Sequence, residues 1–196
     1  RLLNLQRFSE ELKALDDFNK VADRMVREVR ESLGHSHECA LYRVDEVKEE
    51  LYFVASSGYH DASFILPKGS VYEQWAMKKS QGLVVEDTRN DYRFHADLRF
   101  GPEVRRSICV SPLLSENRVL GVIRLSAASP HVFHADDLRL LDILTGIGAV
   151  NLRNILLYQT MQELAIRDSL TKLYVNRYFM EQTASEIQKS DFNKSP

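Results

Sequence analysis

Residues 136–167 read DDLRLLDILTGIGAVNLRNILLYQTMQELAIR and contain no proline, so nothing in the run forbids one continuous helix. Asp136 and Asp137 stand where the positive end of a helix dipole favours acidic side chains. The weakest helix formers inside are Gly146 and Gly148, each of which costs about 1 kcal/mol relative to alanine. At 1.5 Å per residue such a helix is about 48 Å long. The run therefore predicts a rod that closes one domain and extends beyond it.

The composition is that of a soluble globular protein. The 196 residues are 44% apolar and 28% charged, with a formal net charge of −2, and this balance argues against nucleic acid or an anionic membrane as a partner. No apolar run approaches the roughly 18 residues that span a bilayer, so no membrane segment is predicted. Cys39 and Cys109 stand in strand-like runs rather than in a disulfide framework. Together these features favour a cytoplasmic protein.

Residues 1–33 predict one helix. Leu5, Phe8, Leu12 and Leu15 recur at 3-4-3 spacing, which is typical of a coiled-coil seam. The apolar stripe continues through Phe18, Ala22, Met25, Val29 and Leu33. Its second half is expected to pack on the domain. For residues 1–15, self-association is favoured over packing within the chain.

Five strand-like runs lie between the helical ends. They alternate apolar with polar residues or are rich in β-branched and aromatic ones, and turn residues or a short helix at 71–82 separate them. The runs are CALYRVD (39–45), ELYFVASS (50–57), LVVED (83–87), RSICVSPLL (106–114) and VLGVIRLS (119–126). This order predicts an α+β fold, an antiparallel sheet with the N- and C-terminal helices packed on one face.

The end of this arrangement resembles a GAF domain. The resemblance is carried by VRRSICVSPLLSENRVLGVIRLSAASPHVFHADDLRLLDILTGIGAVNLRNILLY, from Val104 to Tyr158. It combines a serine-led strand into Pro-Leu-Leu, a tight turn, Gly-Val-Ile on the next strand, a phenylalanine loop and a long final helix. It covers about residues 16–160, which are expected to form a GAF sensor domain after a helical extension over 1–15. The resemblance implies a pocket lidded by loops on the sheet face opposite the terminal helices.

A second resemblance begins at Asp168. The segment DSLTKLYVNRYF is similar to the opening of a GGDEF (diguanylate cyclase) domain, D-x-L-T-G-L-x-N-R-x-x-F. The matching residues are Asp168, Leu170, Thr171, Leu173 and Arg177, while Lys172 replaces the usual glycine and Val175-Asn176 stand where Asn-Arg is usual. Residues 161–196 are therefore expected to be a linker helix and the incomplete start of such a domain. The catalytic signature is absent from these 196 residues, so no catalytic residue is assigned and the chain is predicted to be a fragment of a cyclase.

The sequence offers little else with catalytic or metal-binding character. His35 with His37 and His131 with His134 form two close pairs, but no carboxylate or thiol motif accompanies either pair, so no metal site is predicted. No cofactor is identified. Cys39 and Cys109 could face each other as a redox pair, although structural thiols are the commoner case.

Strand alternation indicates where a ligand could bind. Ile108 and Val110 alternate with small residues on one strand, and Ile123 and Leu125 alternate with Arg124 and its neighbours on the next. If both apolar sets meet the terminal helices, the other face carries small side chains and one cation. This predicts a pocket for a small anionic or polar ligand, with candidate residues Arg124, Ser107, Cys109, Trp75, Tyr92, His95 and Asp87. The alternative is that Arg124 pairs with Asp87 or Glu86 and that loop side chains fill the space.

The GGDEF resemblance implies a function in which two cyclase domains each bring one GTP to form cyclic di-GMP, so that dimer geometry controls the rate. A seam on the long helix favours a homodimer, and its members are Val150, Asn154, Leu157, Met161 and Leu164. The leading interpretation is a GAF sensor that regulates a C-terminal diguanylate cyclase. The alternatives are a ligand-free dimerisation scaffold, a regulator of a degenerate GGDEF domain, and a reductase of the methionine-sulfoxide type.

Overall fold

The computed structural model describes residues 2–34, 38–45, 47–58, 67–94 and 105–166, with the side chains of 4–162 within those ranges. The helices are α1 (Leu2–Lys13), α2 (Phe18–Leu33), α3 (Val71–Lys79) and α4 (Ala135–Ile166). The strands are β1 (Glu38–Asp45), β2 (Glu50–Ser57), β3 (Leu83–Val85), β4 (Ser107–Ser115) and β5 (Arg118–Ala127). The chain divides into two compact units, Arg1–Arg153 and Asn154–Pro196. Of the second unit, only the end of α4 is described.

The five strands form one antiparallel sheet in the order β2-β1-β5-β4-β3. β5 therefore lies at the centre, and its two neighbours are in register across it. Arg124 of β5 is opposite Ala40 of β1 and Val110 of β4. The predicted α+β class with an antiparallel sheet is confirmed.

The terminal helices cover one face of the sheet. Ser111 of β4 donates from Oγ to Asp142 Oδ1 of α4 at 2.6 Å and lies 2.9 Å from Thr145 Oγ1. On the same side, Met25 of α2 meets Gly148 of α4. The prediction that the N- and C-terminal helices share one face is therefore confirmed for α2 and α4.

The short helix α3 lies on the opposite face. Its Ala76 belongs to a buried apolar cluster with Val110 and Val122, whose side chains point away from the Ser111 side because neighbours along a strand alternate. α3 begins with a capping box, in which Ser70 is the N-cap and Glu73 is the third helical residue. This arrangement satisfies backbone N–H groups that the first turn of a helix leaves open.

The N-terminal segment is two helices, so the prediction of one helix over 1–33 is wrong. Asp17 separates them: its carboxylate accepts hydrogen bonds from the backbone N–H groups of Asn19 (2.8 Å) and Lys20 (3.1 Å). An N-cap of this kind begins a new helix, because its own backbone is extended rather than helical.

The seam of α1 has a partner within the chain. Phe8 and Leu12 are fully buried, the guanidinium of Arg24 in α2 lies 5.4 Å from the centre of the Phe8 ring, and Arg24 Nε donates to Glu11 at 2.8 Å. Because Phe8 and Leu12 are already buried within the chain, the expectation that they are available for self-association is wrong.

α4 is one helix of 32 residues, as the sequence predicts. In the first unit it buries Leu141, Leu144, Ala149 and Leu152. By length and composition alone, its part from Ala135 to Gln162, with a mean hydropathy of 1.4, could cross a membrane. The prediction that no stretch is long and apolar enough is therefore wrong. The evidence for a membrane span is nevertheless weak, because the core helix of a soluble domain has the same properties.

Candidate functional site

The candidate site is centred on a salt bridge beneath α3. Arg124 lies in the central strand, on the face that α3 covers, and its Nη1 is 2.7 Å from Glu73 Oε1. Only 7% of the Arg124 side chain and none of the Glu73 side chain is exposed. Removing Arg124 would leave the buried Glu73 charge without this cation, which is strongly unfavourable.

Glu73 has a second role at the start of α3. Its Oε2 accepts hydrogen bonds from the Ser70 backbone N–H at 2.8 Å and from the Ser70 hydroxyl. One carboxylate therefore holds the first turn of α3 with one oxygen and the cation of the central strand with the other.

Apolar and aromatic groups surround this pair. Ala40, Val110 and Val122 belong to the cluster beneath α3. At the outer side, the Phe94 ring makes edge-to-face contacts with Tyr72 and Trp75, at centroid distances of 4.9 and 6.3 Å. Burial raises the pKa of the Tyr72 phenol above its ordinary value. The environment of the ion pair is thus mainly apolar, which strengthens electrostatic interactions within it.

Two predicted site residues, Ser107 and Cys109, lie on the other face of the sheet. Cys109 is opposite Leu125 in the β4–β5 register and shares the side of Ser111, against α4. The Ser107 hydroxyl accepts from the Phe133 backbone N–H at 3.1 Å. The prediction grouped them with Arg124 because it placed the more apolar set of β4 against the terminal helices. In the fold the small polar set packs there.

Asp87 is engaged elsewhere. Its two carboxylate oxygens accept from Arg106 at 3.2 Å (Nε) and 2.5 Å (Nη2), and one also accepts from the Asn90 side chain at 3.0 Å. The hydrogen bond from Arg106 is the main reason that the pKa of Asp87 is below its ordinary value. The alternative in which Arg124 pairs with Asp87 or Glu86 is corrected, because the carboxylate beside Arg124 is Glu73.

The predicted aromatic lid is described in part. Trp75 lies half-buried on α3, on the same side of the sheet as Arg124. Tyr92, in contrast, is 89% exposed. His95 lies outside the described residues. Tyr72, Trp75 and Phe94 therefore form the outer side of the site, while Tyr42 belongs to the same apolar cluster and Phe53 packs against it.

Sequence reasoning missed Glu73. Its signal was present, because Ser70 and Glu73 form the S-x-x-E pattern of a capping box immediately before the predicted short helix. The pattern identifies the helix start. It does not identify the partner of the second carboxylate oxygen, since Arg124 is 51 positions away along the chain.

The two cysteines are not a redox pair. Cys39 and Cys109 are both opposite Leu125, so strand β5 lies between them, and both are buried. Burial in an apolar setting raises the pKa of both thiols above the ordinary value of 9.0, which keeps them protonated and unreactive.

Glu86 lies beside the pair formed by His131 and His134, a carboxylate neighbour that the sequence did not predict. Its two oxygens lie 3.3 Å from His131 Nδ1 and 3.6 Å from His134 Nδ1, in an exposed position. Nevertheless, among the residues that the structure describes, no group of three or more such side chains could hold a metal ion. His35 and His37 lie outside them.

The predicted dimer seam can be followed along α4 only in part. Val150 is exposed in the first unit, and Asn154, Leu157 and Met161 are exposed in the second. The side chain of Leu164 is outside the described set, as are the GGDEF-like residues from Asp168 to Arg177. The homodimer remains a prediction.

Solved structures with similar folds come from several kinds of protein. The GAF domain of an Acinetobacter phosphoenolpyruvate-protein phosphotransferase has a TM-score of 0.65 at 19% identity, covering 78% of this chain and 92% of that one. A free methionine-R-sulfoxide reductase from Neisseria meningitidis has a TM-score of 0.66 at 18% identity, with coverages of 79% and 89%. A GAF domain/HD domain protein from Geobacter sulfurreducens has a TM-score of 0.59 at 19% identity, with coverages of 74% and 98%. At these identities the likeness shows the fold alone.

The sequence itself matches one family model. No curated protein matches it significantly. The GAF domain model, however, matches residues 16–153, which include α2, all five strands of the sheet, α3 and the part of α4 that belongs to the first unit. On this match the chain belongs to the GAF domain family.

Proposed function

We propose that this chain is the sensory part of a signalling protein and that it regulates a diguanylate cyclase that follows it. GAF domains are a sensory and regulatory family, and the family match is to residues 16–153. The observation that supports the finer proposal is continuity of the chain. α4 begins in the GAF domain at Ala135 and stays helical to Ile166, and the GGDEF-like segment DSLTKLYVNRYF starts two residues later.

The proposed mechanism acts through pairing of two copies. Cyclic di-GMP is built from two GTP molecules, one on each of two cyclase domains, so the rate depends on how the two domains are brought together. Exposed apolar side chains at Leu157 and Met161 support the proposal that α4 contributes to a homodimer, since such residues gain stability when a second helix covers them. The setting is cytoplasmic, where GTP is available.

The decisive experiment uses the natural full-length protein that contains this sequence. Purified protein is incubated with GTP and Mg²⁺, and cyclic di-GMP is quantified. We expect product from the parent. We expect at least tenfold less from Leu157→Glu, with a shift toward monomer in light scattering, because a charge on an apolar seam opposes pairing.

A matched control is Gln159→Glu, which places the same charge two residues away on an exposed position of the same helix. It should retain both the dimer and the activity. Absence of cyclic di-GMP from the parent would contradict the cyclase output and favour a degenerate GGDEF domain. Equal product from Leu157→Glu and the parent would contradict control through pairing.

A ligand-free dimerisation scaffold is the second candidate. The buried pair between Arg124 and Glu73 favours it, because the cation that was predicted to anchor a ligand already has a carboxylate partner. A ligand that binds the folded state raises its melting temperature by mass action. A panel of metabolites that produces no shift would therefore favour the scaffold over the sensor.

The reductase alternative is not proposed. The Neisseria structure is a methionine sulfoxide reductase, but that chemistry needs a reactive thiol in the pocket. Cys109 lies on the α4 face, and both thiols are buried with raised pKa values.

A further inference from the structure

We infer that Arg124 is a recognition point for a small organic carboxylate and that Glu73 is an internal ligand which such a molecule displaces. The inference rests on the proposed sensory function and gives it a ligand class. The Glu73 carboxylate occupies the position that the carboxylate of an incoming ligand would take, with Arg124 Nη1 and Glu73 Oε1 2.7 Å apart.

The two partners differ in how firmly they are held. Arg124 lies in the middle of the central strand, hydrogen-bonded on both sides to β1 and β4. Glu73 lies on a helix of nine residues, of which only Glu73 and Ala76 are buried. Tyr72, Trp75 and Met77 of α3 are only partly buried against the apolar cluster, so moving α3 away with Glu73 disturbs fewer fully buried contacts than moving the central strand would. The cation stays in place in the sheet.

The surroundings favour a monocarboxylate with an apolar body. Ala40, Val110 and Val122 form an apolar layer around the pair, and burying a second negative charge in such a layer is strongly unfavourable. A single carboxylate replaces the charge of Glu73 one for one, and the guanidinium binds either through charge-assisted hydrogen bonds. A phosphate dianion would bring an excess charge into the same space.

Displacement has a structural consequence for α3. Glu73 also closes the capping box with Ser70 through its other oxygen. When a ligand takes Arg124, Glu73 moves away together with the first turn of α3, and the contacts of Tyr72 and Trp75 with Phe94 change. Ligand occupancy is thereby converted into a change in the position of α3.

The protein carries its own reporter for this change. Trp75 is the single tryptophan in the chain, and it lies two residues after Glu73. Its fluorescence can be followed during titration with sodium acetate, against sodium chloride at equal ionic strength. Acetate is the right probe because Glu73→Ala deletes a CH2–COO⁻ group, which has the size and charge of acetate.

We expect Glu73→Ala to bind acetate saturably, with a half-saturating concentration at least tenfold below that of the parent, in which Glu73 competes. The double variant Glu73→Ala/Arg124→Gln should show no saturable response. The inference is overturned if Glu73→Ala responds no better than the parent, or if the double variant responds equally well. Inorganic phosphate is titrated in parallel, and tighter binding of phosphate than of acetate overturns the carboxylate assignment.

Ser70→Ala gives an independent result should Glu73→Ala fail to fold. It keeps both buried charges and removes the hydroxyl that donates to Glu73 and accepts from the Tyr72 backbone N–H, which loosens the first turn of α3, so it should lower the half-saturating acetate concentration severalfold relative to the parent. No change in that concentration overturns the inference. The titration requires no GTP turnover, so failure of this site and failure of the cyclase assay are separate outcomes.

Discussion

Met25 of α2 lies against Gly148 of α4 so closely that a β-carbon at position 148 would overlap its thioether group. Met25 itself is fully buried, so its side chain has little room to move aside. Gly146, two residues earlier, has no other side chain or strand within 4 Å of where its β-carbon would be. The two glycines of α4 therefore differ in their surroundings: close packing of Met25 requires a glycine at position 148, whereas no such contact requires one at position 146.

We predict that Gly146→Ala stabilises the protein and that Gly148→Ala does not. Alanine is favoured over glycine in a helix by about 1 kcal/mol, and at position 146 nothing opposes that gain. At position 148 overpacking against Met25 offsets it by about 1–3 kcal/mol. Urea denaturation of both variants measures the free energies of unfolding. Equal shifts in the two variants would contradict the close packing of Met25 on Gly148.

Phe8→Ala should lower the free energy of unfolding by about 3–5 kcal/mol, the usual loss for a buried phenylalanine. The ring is fully buried and contacts Arg24 of the same chain. The loss should therefore be the same at all protein concentrations. A loss that grows on dilution would indicate that Phe8 packs against a second copy.

Asp87→Asn should reduce the fall of the melting temperature at acidic pH. The Arg106 guanidinium holds the pKa of Asp87 below its ordinary value of 3.8 in the folded protein. A group with a depressed folded pKa stabilises the fold above its unfolded pKa, and this contribution is lost as the pH falls through the folded pKa. The melting temperature of the parent should therefore fall below about pH 4, and that of the variant should fall less.

Asp136→Asn is the control for this measurement, since Asp136 is an exposed carboxylate paired with Arg139 on the helix surface. It removes the same charge from an exposed ion pair, so a loss of pH dependence that is larger in Asp87→Asn is assigned to the Arg106 pair. Parallel curves for Asp87→Asn and the parent would show that the Arg106 pair does not stabilise the fold.

Cys39 and Cys109 should resist thiol reagents in the native protein. Both thiols are buried and have raised pKa values, and the thiolate is the reactive form. Labelling with a chromogenic disulfide is expected to be slow and to accelerate in denaturant in step with unfolding. Rapid labelling of either cysteine without denaturant would contradict its burial and reopen the reductase alternative.

The elements of the sheet could be predicted from local pattern, but their faces could not. Alternation identifies two sets of side chains on β4 and β5; which set meets the helices depends on strand register and on the helix partner. On β5 the apolar Leu125 does face the helices. On β4 the polar Ser111 faces them, because Asp142 and Thr145 of α4 provide hydrogen-bonding partners.

In the candidate site, too, one residue could be predicted from the local sequence and its partner could not. Arg124 could be identified because a lone cation in an apolar strand needs a partner. Glu73 could not be identified as that partner, because the contact depends on where α3 packs. The break between α1 and α2 had a local signal in Asp17, a favoured N-cap residue, but the regular spacing of apolar residues across it predicted one helix.

The hydrogen bonds of Ser111 to α4 restrict how that helix can move. A slide of one turn in one direction would bring Leu138 and Leu141 opposite Ser111 in place of Asp142 and Thr145. The buried hydroxyl of Ser111 would then lose both of these partners, at about 1–3 kcal/mol, whereas the Thr145 hydroxyl would keep its hydrogen bond to the Asp142 carbonyl within the helix. The hydrogen bonds of Ser111 thus oppose translation of α4 along the sheet. They do not oppose rotation or bending of the part of the helix that follows Thr145.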